Sequence, residues 1–305
     1  MATPGPAPTT DDDVSSWSFE AIGTSWTVDV DRPVGPAARR AVADRIEAFD
    51  RDWSRFRSGS VVDAVRAGAG RHRLPDDAGP LVEVYDALHR LTAGAMSPAV
   101  GGSLEHLGYD AAYSLRPAPG HVPAPDWGAV RWEPPYLVTG EPFVLDVGAA
   151  GKGYLVDLVA EVLEQHVAGA GVTVDASGDL VHRPGQGAPP LRVALEHPRR
   201  PGYAVGVASL DGAPGRRALC ASATNRRTWA DGVHHVLDAR TGAPTTDVLA
   251  TWVVADDART ADAVATALFL APPETLRREL DFTWVTYDAL GALRASPDFP
   301  GELFR

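Results

Sequence analysis

Lys152 is the one lysine in the chain, and every other basic side chain apart from histidine is an arginine. It stands in a run of small residues, LDVGAAGKGYLVD from Leu145 to Asp157, where Gly148, Ala149, Ala150, Gly151 and Gly153 keep side chains clear of it. A compact ammonium on a flexible stem suits a site that a planar guanidinium would overfill. After Tyr154 the apolar positions Leu155, Leu158, Val159, Val162 and Leu163 recur at helical spacing. The apolar residues Phe143, Val144 and Leu145 read as a strand end that delivers Asp146 into the turn. A strand, a turn of tiny residues and a helix start together suit an anion, because the backbone comes close and N–H groups point outward. An ordinary β–α connection with an exposed lysine has the same pattern.

Four further clusters carry chemistry-bearing side chains. In TADAVATALFLAPP, Asp262 and Thr266 are four residues apart and share a helix face. A carboxylate and a hydroxyl are hard ligands, of the kind Mg²⁺ accepts when substrate phosphates complete its shell. The alternative is that Thr260 caps this helix, Asp262 complements its dipole and Thr266 is merely half-buried. In HHVLDARTGAP, His234 and His235 are adjacent, so on a strand at most one faces any single site. That one could act as a general base, or be a hydrogen-bonded core residue. Asp175 to Asp179 (DASGD) follows an apolar strand and reads as a hairpin turn. Arg226 and Arg227, in SATNRRTW, could pair with phosphates or be solvated.

The elements that position these residues follow from periodicity. Near-alternating apolar positions from Trp17, with Gly23 midway, give two strands or one bulged strand. Helices are predicted over 35–56, with Val42, Ile46, Phe49 and Trp53 on one face, and over 79–93. GAMSPAVGGSLEHLGYD reads as a loop, and 114–125 as a surface linker rich in Pro and Ala. The second half is mostly strands, at 172–175, 191–195, 203–209, 218–222, 248–255 and 282–287. Its helices fall at 153–165, 260–270 and 273–280. This is not a βαβα alternation, so the fold class is α+β.

At 305 residues the chain has ample apolar content for a core, and its net charge of −12 argues against a nucleic-acid surface. Cys220 is the only cysteine, which excludes an internal disulfide. No stretch is long and apolar enough for a transmembrane helix. Residues 1–16 read as a disordered acidic tail, and 17–305 as the folded unit. The tail has neither the basic start nor the apolar core of a signal peptide, so the sequence as written reads as cytoplasmic. Cell-envelope association is the expectation if a signal has been removed.

Taken in order, the clusters resemble the ApbE family of FAD:protein FMN transferases over nearly the whole chain after the tail. AIGTSW (Ala21–Trp26) is similar to the family's Met-Gly-Thr element, and DRDWSRFRSGS (Asp50–Ser60) to its Ser-Arg-Phe segment. GAMSPAVGGSLEHLGYD (Gly94–Asp110) resembles Gly-Ala-Phe-Asp-Pro-Thr-Val-Gly with a later Leu-Gly-Tyr-Asp. LDVGAAGKGYLVD is similar to Leu-Asp-Leu-Gly-(Gly/Ala)-Ile-Ala-Lys-Gly-Tyr-x-x-Asp. ASGDL, HHVLDARTGAP and TADAVATALF resemble Gly-Gly-Asp, His-His-Ile-Leu-Asp-Pro-x-Thr-Gly-x-Pro and Ala-Asp-Ala-x-Ala-Thr-Ala-Leu.

The resemblance implies an ApbE-like, T-fold-related architecture of mixed sheets with packed helices and an FAD cleft between its subregions. It implies Mg²⁺-dependent transfer of FMN from FAD to a Thr or Ser hydroxyl of a partner flavoprotein, with release of AMP. By family position, Asp262, Thr266 and the Ala149 carbonyl would hold Mg²⁺. Lys152 would neutralise phosphate charge, Asp146 would contact the nucleotide and His235 would be the base. Ile22, Gly23, Thr24, Ala95, Met96 and Ser97 would line the FAD pocket, with Asp146, Lys152 and His235 also touching FAD. The chain departs from the family pattern at Ile22, at Met96, Ser97 and Ala99, and at Ser177. Two other readings stand beside transfer: an FAD pyrophosphatase giving FMN and AMP, and a flavin-binding module without turnover. An intact set of Asp262, Thr266 and Lys152 favours an enzyme.

Overall fold

Ser15–Ala21 and Thr24–Val30 form an antiparallel hairpin turned by Ile22 and Gly23, both at positive φ (44° and 77°). That backbone matches the twist of paired strands, and of the two patterns the sequence allows, the chain forms two strands. The computed structural model describes residues 14–210, 215–230 and 232–304. Most of the expected acidic tail, residues 1–13, lies outside the described residues, while Ser15 and Ser16 belong to the first strand.

The hairpin is one edge of an eight-stranded sheet in which every neighbouring pair is antiparallel. From that edge inward come Val172–Asp175, Asp179–Arg183, Arg217–Ala223, Val248–Ala255, Thr283–Asp288 and Leu293–Ala295. Alternation along the strands sorts side chains between two faces. Val28, Val174, Val181, Ala218, Cys220 and Val253 enter the larger core, beneath helices. Leu180, Leu219, Trp252, Val254 and Val285 enter a second core, against a three-stranded sheet of Leu191–Glu196, Ala204–Leu210 and Gly301–Leu303.

The helices of the described residues are α1 (Pro36–Trp53), α2 (Val61–Ala67), α3 (Gly79–Leu91), α4 (Gly101–His106), α5 (Gly151–His166), α6 (Ala258–Ala267) and α7 (Pro273–Leu276). α5 is buried around most of its circumference because α1, α6 and the sheet all pack on it. α6 lies alongside it, over the strands at 217–223 and 248–255. Its N-cap is Asp257, which accepts from Thr260 N at 2.8 Å, and not Thr260 as the sequence suggests.

Three local expectations change. α4 interrupts the segment read as a loop, in which Gly101 and Gly108 allow close approach. A Cβ on Gly101 would lie 2.6 Å from the Val144 carbonyl. Phe143–Leu145 joins no sheet; its extended backbone is held by Gly101 N donating to Val144 O at 3.1 Å, and Asp146 N donates to Pro98 O at 2.7 Å. α2 and the short strands Gly70–Arg73, Arg131–Glu133 and Tyr136–Thr139 were not expected, being too short to show periodicity.

Candidate active site

The hairpin turn at Ile22–Thr24, the end of α1, the 146–152 turn and one face of α6 converge on a cleft of about 960 Å³. On its floor, Lys152 Nζ lies 2.8 Å from Asp179 Oδ2 and donates to the Ala176 carbonyl at 3.1 Å. The Lys152 side chain is 24% exposed and Asp179 is 1% exposed, so this lysine is not the free surface group the sequence allowed. Burial would lower its pKa, but the carboxylates of Asp179 and Asp262 overcome that and hold it above the ordinary lysine value. The turn carrying these partners is the anticipated hairpin, with Ser177 and Gly178 both at positive φ.

Asp262 is 4% exposed and accepts a hydrogen bond from Gly153 N at 2.9 Å through Oδ2. Burial, and then the neighbouring Asp179 carboxylate, push its pKa well above the usual range. Thr266 shares a hydrogen bond with Ser222 Oγ at 3.3 Å. Gly151 N donates to Val147 O at 2.7 Å, so two amides of the α5 start, Gly151 and Gly153, are already engaged within the protein. Anion binding here therefore rests on Lys152 more than on the helix N-terminus.

Two buried carboxylates share one ammonium here, and a divalent cation would favour the charged form of Asp262 that burial and Asp179 oppose. Asp262, Thr266 and the Ala149 carbonyl offer hard oxygens, as Mg²⁺ requires. Among the described residues, no group of three His, Cys, Asp or Glu is placed to hold a metal alone. A cation at this floor would complete its shell with water or with oxygens of a bound substrate such as a phosphate.

His235 lines the cleft and His234 does not. His234 is locked in the structure: Nε2 donates to Thr245 O at 2.8 Å and Nδ1 accepts from Val236 N at 3.3 Å. His235 Nδ1 is buried without a hydrogen-bond partner. Burial, then the Arg227 guanidinium and His234, lower the His235 pKa to about 4, so the imidazole is neutral at physiological pH.

Asp146 reaches the cleft with both oxygens engaged, Oδ1 by Gly148 N at 2.8 Å and Oδ2 by Arg55 Nε at 2.8 Å. Ile22, Gly23, Thr24, Met96, Ser97 and Ala149 all line the same cleft. Ala95 does not; it is fully buried, and its carbonyl accepts from Ala239 N at 2.9 Å. Sequence reasoning gave no site role to Arg55, Asp179, Ser222, Tyr109 or Trp229, which also line the cleft. The Arg55 guanidinium sits in the corner between the edge-to-face rings of Phe56 and Tyr109, at 4.5 and 4.6 Å from their centroids, and Tyr109 stacks on Trp229. The DASGD cluster and the likeness of ASGDL to Gly-Gly-Asp pointed at Asp179, but the reading as a hairpin turn left it without a role because its burial is not visible in the sequence. Arg226 is ion-paired with Glu196, and Arg227 Nη1 donates to the Tyr109 hydroxyl at 3.1 Å.

An α+β protein with a helix-covered antiparallel sheet and a lysine-floored cleft is the class that this architecture defines. The ApbE family model matches residues 22–284, and the chain belongs to the ApbE family. A curated relative, the FAD:protein FMN transferase of Rhodobacter capsulatus, is 30% identical in an alignment 296 residues long that covers 88% of this chain. That match takes in 53% of the relative, so the chain spans about half the length of the curated relative it matches. The crystal structure of the ApbE protein from Thermotoga maritima shares the fold at a TM-score of 0.80, with 22% identity, 93% of this chain and 97% of that one. The flavinyl transferase ApbE of Pseudomonas stutzeri matches at 0.77, with 23% identity over 95% and 97% of the two chains. The flavin transferase ApbE of Vibrio cholerae matches at 0.75, with 20% identity over 94% and 98%.

Proposed function

We propose that this chain transfers FMN from FAD to a Thr or Ser hydroxyl of a partner flavoprotein. The observation that carries the reading is one cleft lined by Lys152, Asp262 and Thr266 together with a neutral His235. The relative named as a FAD:protein FMN transferase supports it. The acceptor oxygen bonds to the phosphorus of the FMN half, the bond from that phosphorus to the bridging oxygen breaks, and AMP leaves with that oxygen.

Within this reading each group has a task its environment suits. His235, uncharged and lining the cleft, takes the proton of the incoming hydroxyl. Lys152, kept protonated by Asp179, offers its ammonium to the pyrophosphate. Asp262, Thr266 and the Ala149 carbonyl would hold Mg²⁺, which when bound offsets the negative charge of the pyrophosphate oxygens. Ile22, Gly23, Thr24, Met96 and Ser97 line the space for FAD, and Ala95 supports it from behind. Asp146, tied to Arg55 and Gly148, shapes the turn beside the nucleotide.

The test is incubation with FAD, Mg²⁺ and a candidate acceptor flavoprotein, followed by intact mass. A gain equal to FMN on the acceptor, with AMP in solution, is expected. FMN and AMP appearing free, with the acceptor mass unchanged, would overturn transfer in favour of hydrolysis.

A further inference from the structure

Asp157 is 5% exposed, lies on the side of α5 away from the cleft lining, and has no part in the reaction above. Both of its carboxylate oxygens are nevertheless committed across the interface to α6. Oδ1 accepts from Ala258 N at 3.0 Å and Oδ2 from Arg259 N at 2.9 Å. These are the first two amides of α6, which have no partner within their own helix. Asp257 takes the next, through Thr260 N, so two carboxylates from different elements close the helix start.

One turn away along α5, Gly153 N donates to Asp262 Oδ2 at 2.9 Å. Gly153 and Asp157 are four residues apart and therefore share the α5 face that meets α6. α6 is thus pinned to α5 at two heights, at its first turn by Asp157 and at Asp262 by the Gly153 amide. A cap from a neighbouring helix fixes axial position and rotation, which a cap from the same loop does not. Rotation of α6 is what decides whether Asp262 and Thr266 face the Lys152 side of the cleft.

We infer that Asp157 is a positioning residue, which sets the rotation of α6 on α5 and so presents Asp262 and Thr266 to a cation in the cleft. The role rests on the metal reading proposed above. It requires no contact between Asp157 and substrate. Asn in its place keeps the shape but turns one acceptor into a donor facing another N–H.

The full chain with FAD bound is titrated with Mn²⁺, free Mn²⁺ being followed by its paramagnetic resonance signal. Asp157→Asn is expected to weaken Mn²⁺ binding by about 10- to 100-fold, as loss of an outer partner of a metal ligand does. FAD binding without metal should stay as in the parent. A purely stabilising role would instead reduce the number of sites titrated and leave the affinity of the remainder unchanged, which overturns the inference. Asp262→Asn is titrated alongside. Loss of Mn²⁺ in Asp262→Asn with parental affinity in Asp157→Asn overturns the positioning role alone, whereas parental affinity in both overturns the metal reading beneath it. Should Asp157→Asn fail to fold, hydrogen exchange on the parent decides the clamp. The Ala258 and Arg259 amides should be protected although they open a helix, and fast exchange at both would overturn it.

Discussion

Asp179 Oδ2 sits 2.8 Å from Lys152 Nζ, with Asp179 almost wholly out of water and Lys152 its sole cationic partner within ion-pair distance among the described residues. Removing one partner of a buried pair leaves the other charge uncompensated, at roughly 3–5 kcal/mol. Lys152→Met is therefore expected to destabilise the apo protein by an amount of that order in urea unfolding. Adding Asp179→Asn to it should recover a large part of the loss. Lys152→Arg should keep more stability than Lys152→Met but not restore FMN transfer, because a planar fork does not fit the space an ammonium occupies. Parental stability in Lys152→Met would return the lysine to a surface role.

What the sequence discloses and what it hides divide along the range of the interactions. The strand at Val172–Asp175 falls where its alternation places it, and Val248–Ala255 where its near-continuous apolar run does, being buried on both faces. The helix faces of Val42, Ile46, Phe49 and Trp53 are likewise buried as their spacing demands. α4 was hidden because Gly101 and Gly102 carry turn chemistry, while the need for Gly101 comes from Val144, far along the chain. Lys152 was visible as a singular residue, but its pairing with Asp179 was not, because ion pairing across a sheet turn leaves no periodic mark. Ala95 shows the converse: it sits inside a recognisable motif next to Met96, yet points away from the cleft that Met96 lines.

Asp262 is buried beside a second carboxylate, and its pKa is pushed up by burial and by Asp179. Asp262→Asn keeps an oxygen for the Gly153 amide and removes one of two like charges. The expected outcome is a thermal midpoint equal to or above the parent, together with loss of metal-stimulated FMN transfer. A folded Asp262→Asn protein that still responds to Mg²⁺ would remove the residue from the metal site.

His235 and His234 should separate cleanly. His235→Ala is expected to slow transfer by roughly 10²–10⁴-fold, the usual worth of a general base. His234→Ala leaves the Thr245 carbonyl without its donor and should cost stability, about 1–3 kcal/mol, with a smaller effect on rate. The pH dependence follows from the His235 pKa, lowered to about 4 from an ordinary 6.5 by burial, Arg227 and His234. Between those values the unfolded chain binds more protons at this site than the folded one, so the stability from keeping His235 neutral is complete above pH 6.5 and is lost as pH falls toward 4. His235→Ala should flatten that part of the stability profile. In the parent, the acid limb of transfer due to this residue should lie near pH 4, and a limb near 6.5 that vanishes in His235→Ala would contradict the buried setting.

Gly153 is where α5 and α6 come closest, and its hydrogen cannot be enlarged. A Cβ there would lie 2.1 Å from the Ala258 carbonyl oxygen and 2.6 Å from Asp262 Cβ. Ala in place of a helical Gly gains about 1 kcal/mol in propensity. An overlap with backbone cannot be relieved by rotating a side chain, so overpacking of about 1–3 kcal/mol or more should win. Gly151→Ala is the matched control: its nearest neighbour would be the Val147 Cγ2 methyl, at 3.1 Å, which has freedom to give. The expected result in urea unfolding is a clear loss for Gly153→Ala and little change for Gly151→Ala. Gly153→Ala should also weaken Mn²⁺ binding, because separating the helices carries Asp262 away from its Gly153 amide. Equal stability in the two variants would mean that the helices part without strain and that the closeness of their packing does not place Asp262.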